Sequence, residues 1–80
     1  METKAVKEAV QKERELGRFM LKRYEDKLSK FEDKYDMTTD EFVEKFEKGE
    51  LGDDQDYFEW FATFKGKEHW KEKLDQLHAI

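Results

Sequence analysis

Apolar residues recur at steps of three and four along the first part of the chain: Val6, Val10, Phe19 or Met20, Tyr24, Leu28, Phe31 and Tyr35. That period predicts one amphipathic helix over residues 3–35. Gly17 takes the intermediate place in the stripe. Its missing side chain would let another helix approach closely, at a cost of about 1 kcal/mol in helix propensity. Glu8 with Lys12, and Asp26 with Lys30, sit four apart in the favourable order and add a few tenths of a kcal/mol each. A helix of this length reaches about 50 Å at 1.5 Å per residue. That exceeds the width of a globule of 80 residues, so part of it must project, dimerise or pack on a partner.

The second element is bounded by its own chemistry. In MTTDEF, Thr38 is an N-cap with Glu41 three residues on, the pattern of a capping box. Met37 before the cap and Phe42 inside the helix complete a hydrophobic staple. Asp40 and Glu41 favour the positive end of the helix dipole. A short helix is predicted from Thr39 to about Lys48, with Phe42, Val43 and Phe46 buried and Gly49 as its left-handed closing residue. GELGDD then reads as a loop in which Gly49 and Gly52 permit positive φ and Leu51 is an anchor. Asp53 or Asp54 caps a third helix, with Asp56 in its first turn. This helix should run from about Gln55 to His78, with Tyr57, Trp60, Phe61 and Phe64 on one face. Phe58 and Ala62 fall to one side of that face, and Trp70, Leu74 and Leu77 on another. Gly66, where the stripe drifts, is a position at which such a helix can bend or break, and spacing does not decide whether it does. The fold class expected is all-α: a long N-terminal helix, a short middle helix and a third helix packed antiparallel, as a helical hairpin or small bundle in a single domain.

Composition sharpens this picture. Charged residues make up 46% of the chain and hydrophobic ones 36%, a balance that alone leans towards disorder. Aromatics at 15% oppose it, because each is a large unit of burial. The absence of proline favours long helices. The chain has no Cys, so no disulfide or thiolate metal site can supplement a marginal core. No apolar run approaches the ~20 residues that span a bilayer, and the start has no apolar signal region. The expectation is a soluble, cytoplasmic protein without membrane contact.

Charge is distributed unevenly. Residues 31–59 hold twelve carboxylates against Lys34, Lys45 and Lys48, a formal −9, while residues 1–30 carry +3 and residues 60–80 carry +1. The acidic stretch runs directly into Tyr57, Phe58, Trp60, Phe61 and Phe64. Carboxylates beside aromatics suit a surface that docks onto a basic protein and repel nucleic acid. Aromatics at helical spacing are ordinarily core. Phe58 leaves the main face, however, and a short helix in so small a domain can hardly bury two faces. Phe58 or Trp60, if exposed, would be a natural interface anchor. The candidate partner-binding set is Asp53, Asp54, Asp56, Phe58, Glu59 and Trp60. Basic and acidic segments could equally attract each other between two copies, so a coiled-coil-like homodimer of the first helix is the alternative.

Other chemistries fit less well. An EF-hand loop begun at Asp54 would place Phe58 at position 5, Glu59 at position 6 and Lys65 at position 12, which fails the ligand pattern. His69 and His78 lie nine residues apart and form no metal-ligand spacing. Ser29 has no base linked to it in sequence and reads as a surface residue. GELGDD places anions where a phosphate loop needs positive charge. No cofactor, metal or catalytic residue is expected. The segment FKGKEHWKEK mixes lysines with Phe64, His69 and Trp70, yet its small net charge provides little electrostatic grip on nucleic acid.

The stretch KYDMTTDEFVEKFEKGELGDDQDYFEWFA resembles a pattern in short archaeal and bacterial antitoxin-like proteins encoded beside small toxins. That pattern has a YGM turn, an EF…F..GELGDD loop and a DFFEW helix start. The matching positions are Tyr35, Asp36, Met37, Glu41, Phe42, Phe46, Gly49, Glu50, Leu51, Gly52, Asp53, Asp54, Tyr57, Phe58, Glu59 and Trp60. Asp36 stands where the pattern usually has Gly, and the likeness covers about residues 34–62. It implies neutralisation of a small basic toxin by direct binding. Asp53, Asp54, Asp56 and Glu59 would steer association, Phe58 and Trp60 would anchor it, and the long first helix would wrap the partner or dimerise.

Overall fold

Three α-helices and their connections account for residues 3–78, which the computed structural model describes. They are α1 (Lys4–Tyr35), α2 (Thr39–Glu47) and α3 (Gln55–His78). Each boundary has a local cause. The Thr3 hydroxyl accepts the Val6 N–H and starts α1. Asp36 ends it in the left-handed region, at φ 50°, where the Met37 N–H reaches back to the Glu32 carbonyl. The Thr38 hydroxyl accepts the Glu41 N–H at 3.1 Å and donates to the Glu41 carboxylate at 3.2 Å, so the cap predicted for α2 is present. The end of α2 is a Schellman closure: Glu50 N–H to Lys45 C=O and Gly49 N–H to Phe46 C=O. Gly49 supplies the positive φ of 70° that this needs, and Gly52 does not share it. Of the two aspartates proposed as caps for α3, Asp54 takes the role, its carboxylate accepting the Asp56 N–H at 2.8 Å.

α1 and α3 run antiparallel, as a ladder of contacts shows. Tyr35 meets Tyr57, Phe31 stacks on Trp60, Tyr24 lies on Gly66, Leu74 lies on Gly17, and Arg14 donates to the Leu77 carbonyl at 2.7 Å. Two of these rungs are glycine notches. A Cβ at Gly17 would sit 2.7 Å from Leu74 Cδ2 and 3.1 Å from Trp70, and one at Gly66 would sit 2.9 Å from the Tyr24 ring. The propensity lost at each glycine is thus offset by close helix approach. Gly66 neither bends nor breaks α3, which is continuous through it. The two apolar faces read along α3 have different neighbours: residues 57–64 face α2 as well as α1, whereas Trp70 and Leu74 face α1 alone.

The main core is Leu28, Phe31, Phe42 and Trp60, with Tyr35, Met37, Val43, Phe46, Leu51, Tyr57, Phe61 and Phe64 packed around it. It lies at one end of the hairpin, where α2 folds across both long helices. The molecule is therefore elongated, 52 × 21 × 17 Å, with a radius of gyration of 16.1 Å. A compact chain of this length would have about 12 Å. Most of the length of α1 is matched by α3, but residues 4–9 are exposed all round.

Two stability outcomes follow. Gly17→Ala gains about 1 kcal/mol of helix propensity and loses about 1–3 kcal/mol to overpacking against Leu74. Urea denaturation should show a net loss. Asp36→Gly relieves a left-handed non-glycine residue and should raise stability by about 0.5–1 kcal/mol in the same assay.

Candidate docking site

The acidic segment and the aromatic run meet at the α2–α3 loop and the first turns of α3. Their side chains do not act together. Trp60 is fully buried, with none of its surface exposed. Its ring stacks on Phe42 at 4.0 Å and nearly parallel, and on Phe31 and Tyr35 at 5.5 and 5.8 Å. Its indole N–H donates to the Thr39 hydroxyl at 3.1 Å. The Thr39 N–H in turn donates to the Glu32 carboxylate at 2.7 Å, which fills the N-terminus of α2. Trp60 is therefore a core residue that joins all three helices, and its assignment as a partner anchor is corrected. Three aromatic neighbours leave the indole no free face.

Asp56 and Glu59 also have internal partners. The Asp56 carboxylate accepts from Lys34 and from the Tyr35 hydroxyl, both at 2.6 Å. Glu59 forms an ion pair with Lys27. Both bridges join α3 to α1. The Lys34 bond, and then the Tyr35 bond, hold the Asp56 carboxyl below its ordinary 3.8. The Asp56 bond holds the Lys34 amine above 10.5 and the Tyr35 phenol above 10.0.

Phe58 stands apart. It is 54% exposed, touching Phe46 edge-on at 5.8 Å. Beside it along the chain, Asp53 and Asp54 are exposed, and neither enters an ion pair among the described residues. Of the six residues read from the sequence, Asp53 and Phe58 have no internal polar partner at one tip of the molecule, and Asp54 beside them is exposed while its carboxylate caps α3. Asp56 and Glu59 clamp α1 to α3, and Trp60 is interior.

Sequence reading missed two things. One is the Glu32–Thr39–Trp60 network, which depends on helix approach. The other is a second stripe on α1: of Phe19 or Met20, read into the first stripe, Met20 is the half-buried one, while Phe19 is 58%, Val6 46% and Leu16 44% exposed; its signal was the spacing of residues 9, 12, 16, 19 and 23. Near it, a groove of about 670 Å³ is lined by Met20, Tyr24 and Phe31 and by both signs of charge, Arg23, Lys27, Lys30 and Lys34 with Asp26 and Asp56. Ser29 and His69 are exposed. Among the described residues no three His, Asp or Glu side chains converge on a metal position, and no helix is long and apolar enough to cross a membrane. No family model, curated protein or solved structure matches the chain.

The Asp56 clamp has a pH signature. A carboxyl lowered by folding contributes fully above its ordinary 3.8 and loses that contribution as pH falls through its folded value. Lys34 and Tyr35, raised by folding, lose theirs as pH rises past 10.5 and 10.0. Asp56→Asn should therefore be less stable than wild type at pH 7, with the gap closing below pH 3.8. Chemical denaturation across pH measures this.

Proposed function

We propose that this chain is a non-enzymatic protein-interaction module that docks a basic partner on the tip formed by Asp53, Asp54 and Phe58. The observation that carries the reading is Phe58. A phenylalanine 54% exposed beside carboxylates that enter no ion pair among the described residues suits a contact that buries it. The carboxylates steer a cationic surface towards it and act mainly on the association rate. The ring supplies the anchor.

The role is antitoxin-like: an acidic helical surface covering a small basic toxin. The GELGDD loop and the DYFEW start of α3 support it, since both sit at this tip. Trp60, where the likeness implies an anchor, instead holds the tip in shape. Asp56 and Glu59 keep α3 against α1, so the tip is presented on a braced support. Ordering costs on binding are correspondingly small.

The tagged chain should capture a small basic protein encoded beside it. Phe58→Ala should weaken that capture about thirty-fold, or ~2 kcal/mol, with unchanged helical circular dichroism. Asp53→Lys should slow association and reduce its salt dependence. Trp60→Ala should instead destabilise the fold by about 3–5 kcal/mol. Full affinity in a folded Phe58→Ala, Asp53→Lys double variant would refute the reading.

A further inference from the structure

Four large apolar side chains are markedly exposed among the described residues, and three of them, Val6, Leu16 and Phe19, lie on the N-terminal half of α1. Leu16 and Phe19 belong to a stripe that α3 does not cover. Ala5, Ala9, Lys12, Leu16, Phe19 and Arg23 follow one another at steps of four and three, and all are exposed. An average step of 3.5 is the seam of a helix that packs along another helix. The face turned to α3 is a different one, holding Gly17, Tyr24, Leu28 and Phe31. α1 thus carries two seams, and the hairpin uses one.

We infer that the second seam pairs with the same seam of a second copy, antiparallel, about a two-fold axis level with Arg14. Charge chooses both direction and register. A parallel pair would set Lys12, Arg23 and Lys30 each against its own copy. An antiparallel pair centred further along α1 would set Lys30 against Arg23 of the second copy and crowd Lys27 and Lys34, whose ammonium groups already serve Glu59 and Asp56 of α3. Like charges opposed at a seam are destabilising. Centred at Arg14, the pairing sets Ala9 against Phe19 of the second copy, a small residue opposite a large one. Lys12 lies on Leu16 of the second copy, its aliphatic stem on the apolar surface. Val6 falls near Met20 of the second copy, and Glu8 near Lys22 of the second copy. Each of these contacts occurs twice, as an isologous interface requires, and the two Glu15 side chains meet once on the Glu8 flank, which offsets part of the gain.

The exposed residues 4–9 of α1 then run alongside the second copy. The two Phe58 tips face away from each other, roughly 60 Å apart at 1.5 Å per residue. The dimer does not depend on the tip's proposed role, since the seam and the tip lie at opposite ends of the hairpin.

Sedimentation of the full chain should give twice the chain mass. Phe19→Glu and Leu16→Glu should each halve it with helical circular dichroism retained, since both side chains are exposed, whereas Phe58→Ala should leave the dimer intact. The chain has no native cysteine, so direction can be read by oxidation. A mixture of Glu8→Cys and Lys22→Cys should form the mixed disulfide at least several-fold over either homodisulfide. Predominant Glu8→Cys homodisulfide would mean a parallel pair and overturn the inference. So would a wild-type monomer at all soluble concentrations, a dimer untouched by Phe19→Glu, or a monomer whose Phe19 and Leu16 are needed only for binding phosphatidylserine vesicles.

Discussion

The burial of one indole holds this molecule together. Trp60 has no polar option except its N–H, and that group is satisfied by Thr39 at the start of α2. A buried N–H without a partner would cost about 1–3 kcal/mol. The ring therefore fits only when α2 lies across both long helices in the observed register. Glu32 completes the arrangement by accepting the Thr39 N–H from α1. One side chain from each helix enters this network, so the position of α2 and the pairing of α1 with α3 depend on each other. The aromatic stack around it converts a composition nearly half charged into a folded core.

That core occupies one end of an elongated hairpin. Further along, α1 and α3 are joined by glycine notches and a few long side chains. Gly17 receives Leu74, Gly66 receives Tyr24, and Arg14 reaches the last turn of α3. Surface ion pairs such as Lys73 with Glu13 add little individually. Stability is consequently graded along the long axis, with the α2 end the tighter and the far end held by fewer buried groups. This places the exposed stretch of α1 and its second seam in the part of the molecule that has least internal support.

Charge follows the same division. The carboxylates at the loop and the start of α3 gather at the core end, while the outer face of α1 carries Arg23, Lys27, Lys30 and Lys34 with Asp26 among them. Where the two meet, Lys27 with Glu59 and Lys34 with Asp56 neutralise each other and brace the hairpin. What remains unpaired is an acidic tip with Phe58 on it and a basic, partly apolar stripe on α1. The proposed partner contact uses the first, and the proposed self-association uses the second. The two surfaces are separated by the length of the hairpin, so neither excludes the other.

The sequence by itself determined the elements: three helices, their boundaries at Thr38, Gly49 and the Asp53–Asp54 pair, the antiparallel return of the third, and the acidic-aromatic junction. These features rest on local chemistry, since caps, turns and periodicity act within a few residues. Only the tertiary structure decided which ring is interior and which is not. Trp60 and Phe58 are two residues apart in one aromatic run, and nothing local distinguishes an indole that will stack on Phe42 from a ring left at the edge of Phe46. The fates of Asp56 and Glu59 were equally hidden, because their partners Lys34, Tyr35 and Lys27 lie more than twenty residues away in sequence. Whether α3 runs straight through Gly66 was hidden for the same reason. The Tyr24 ring that makes it a notch arrives from another helix, and packing between helices depends on distances that one-dimensional spacing does not contain.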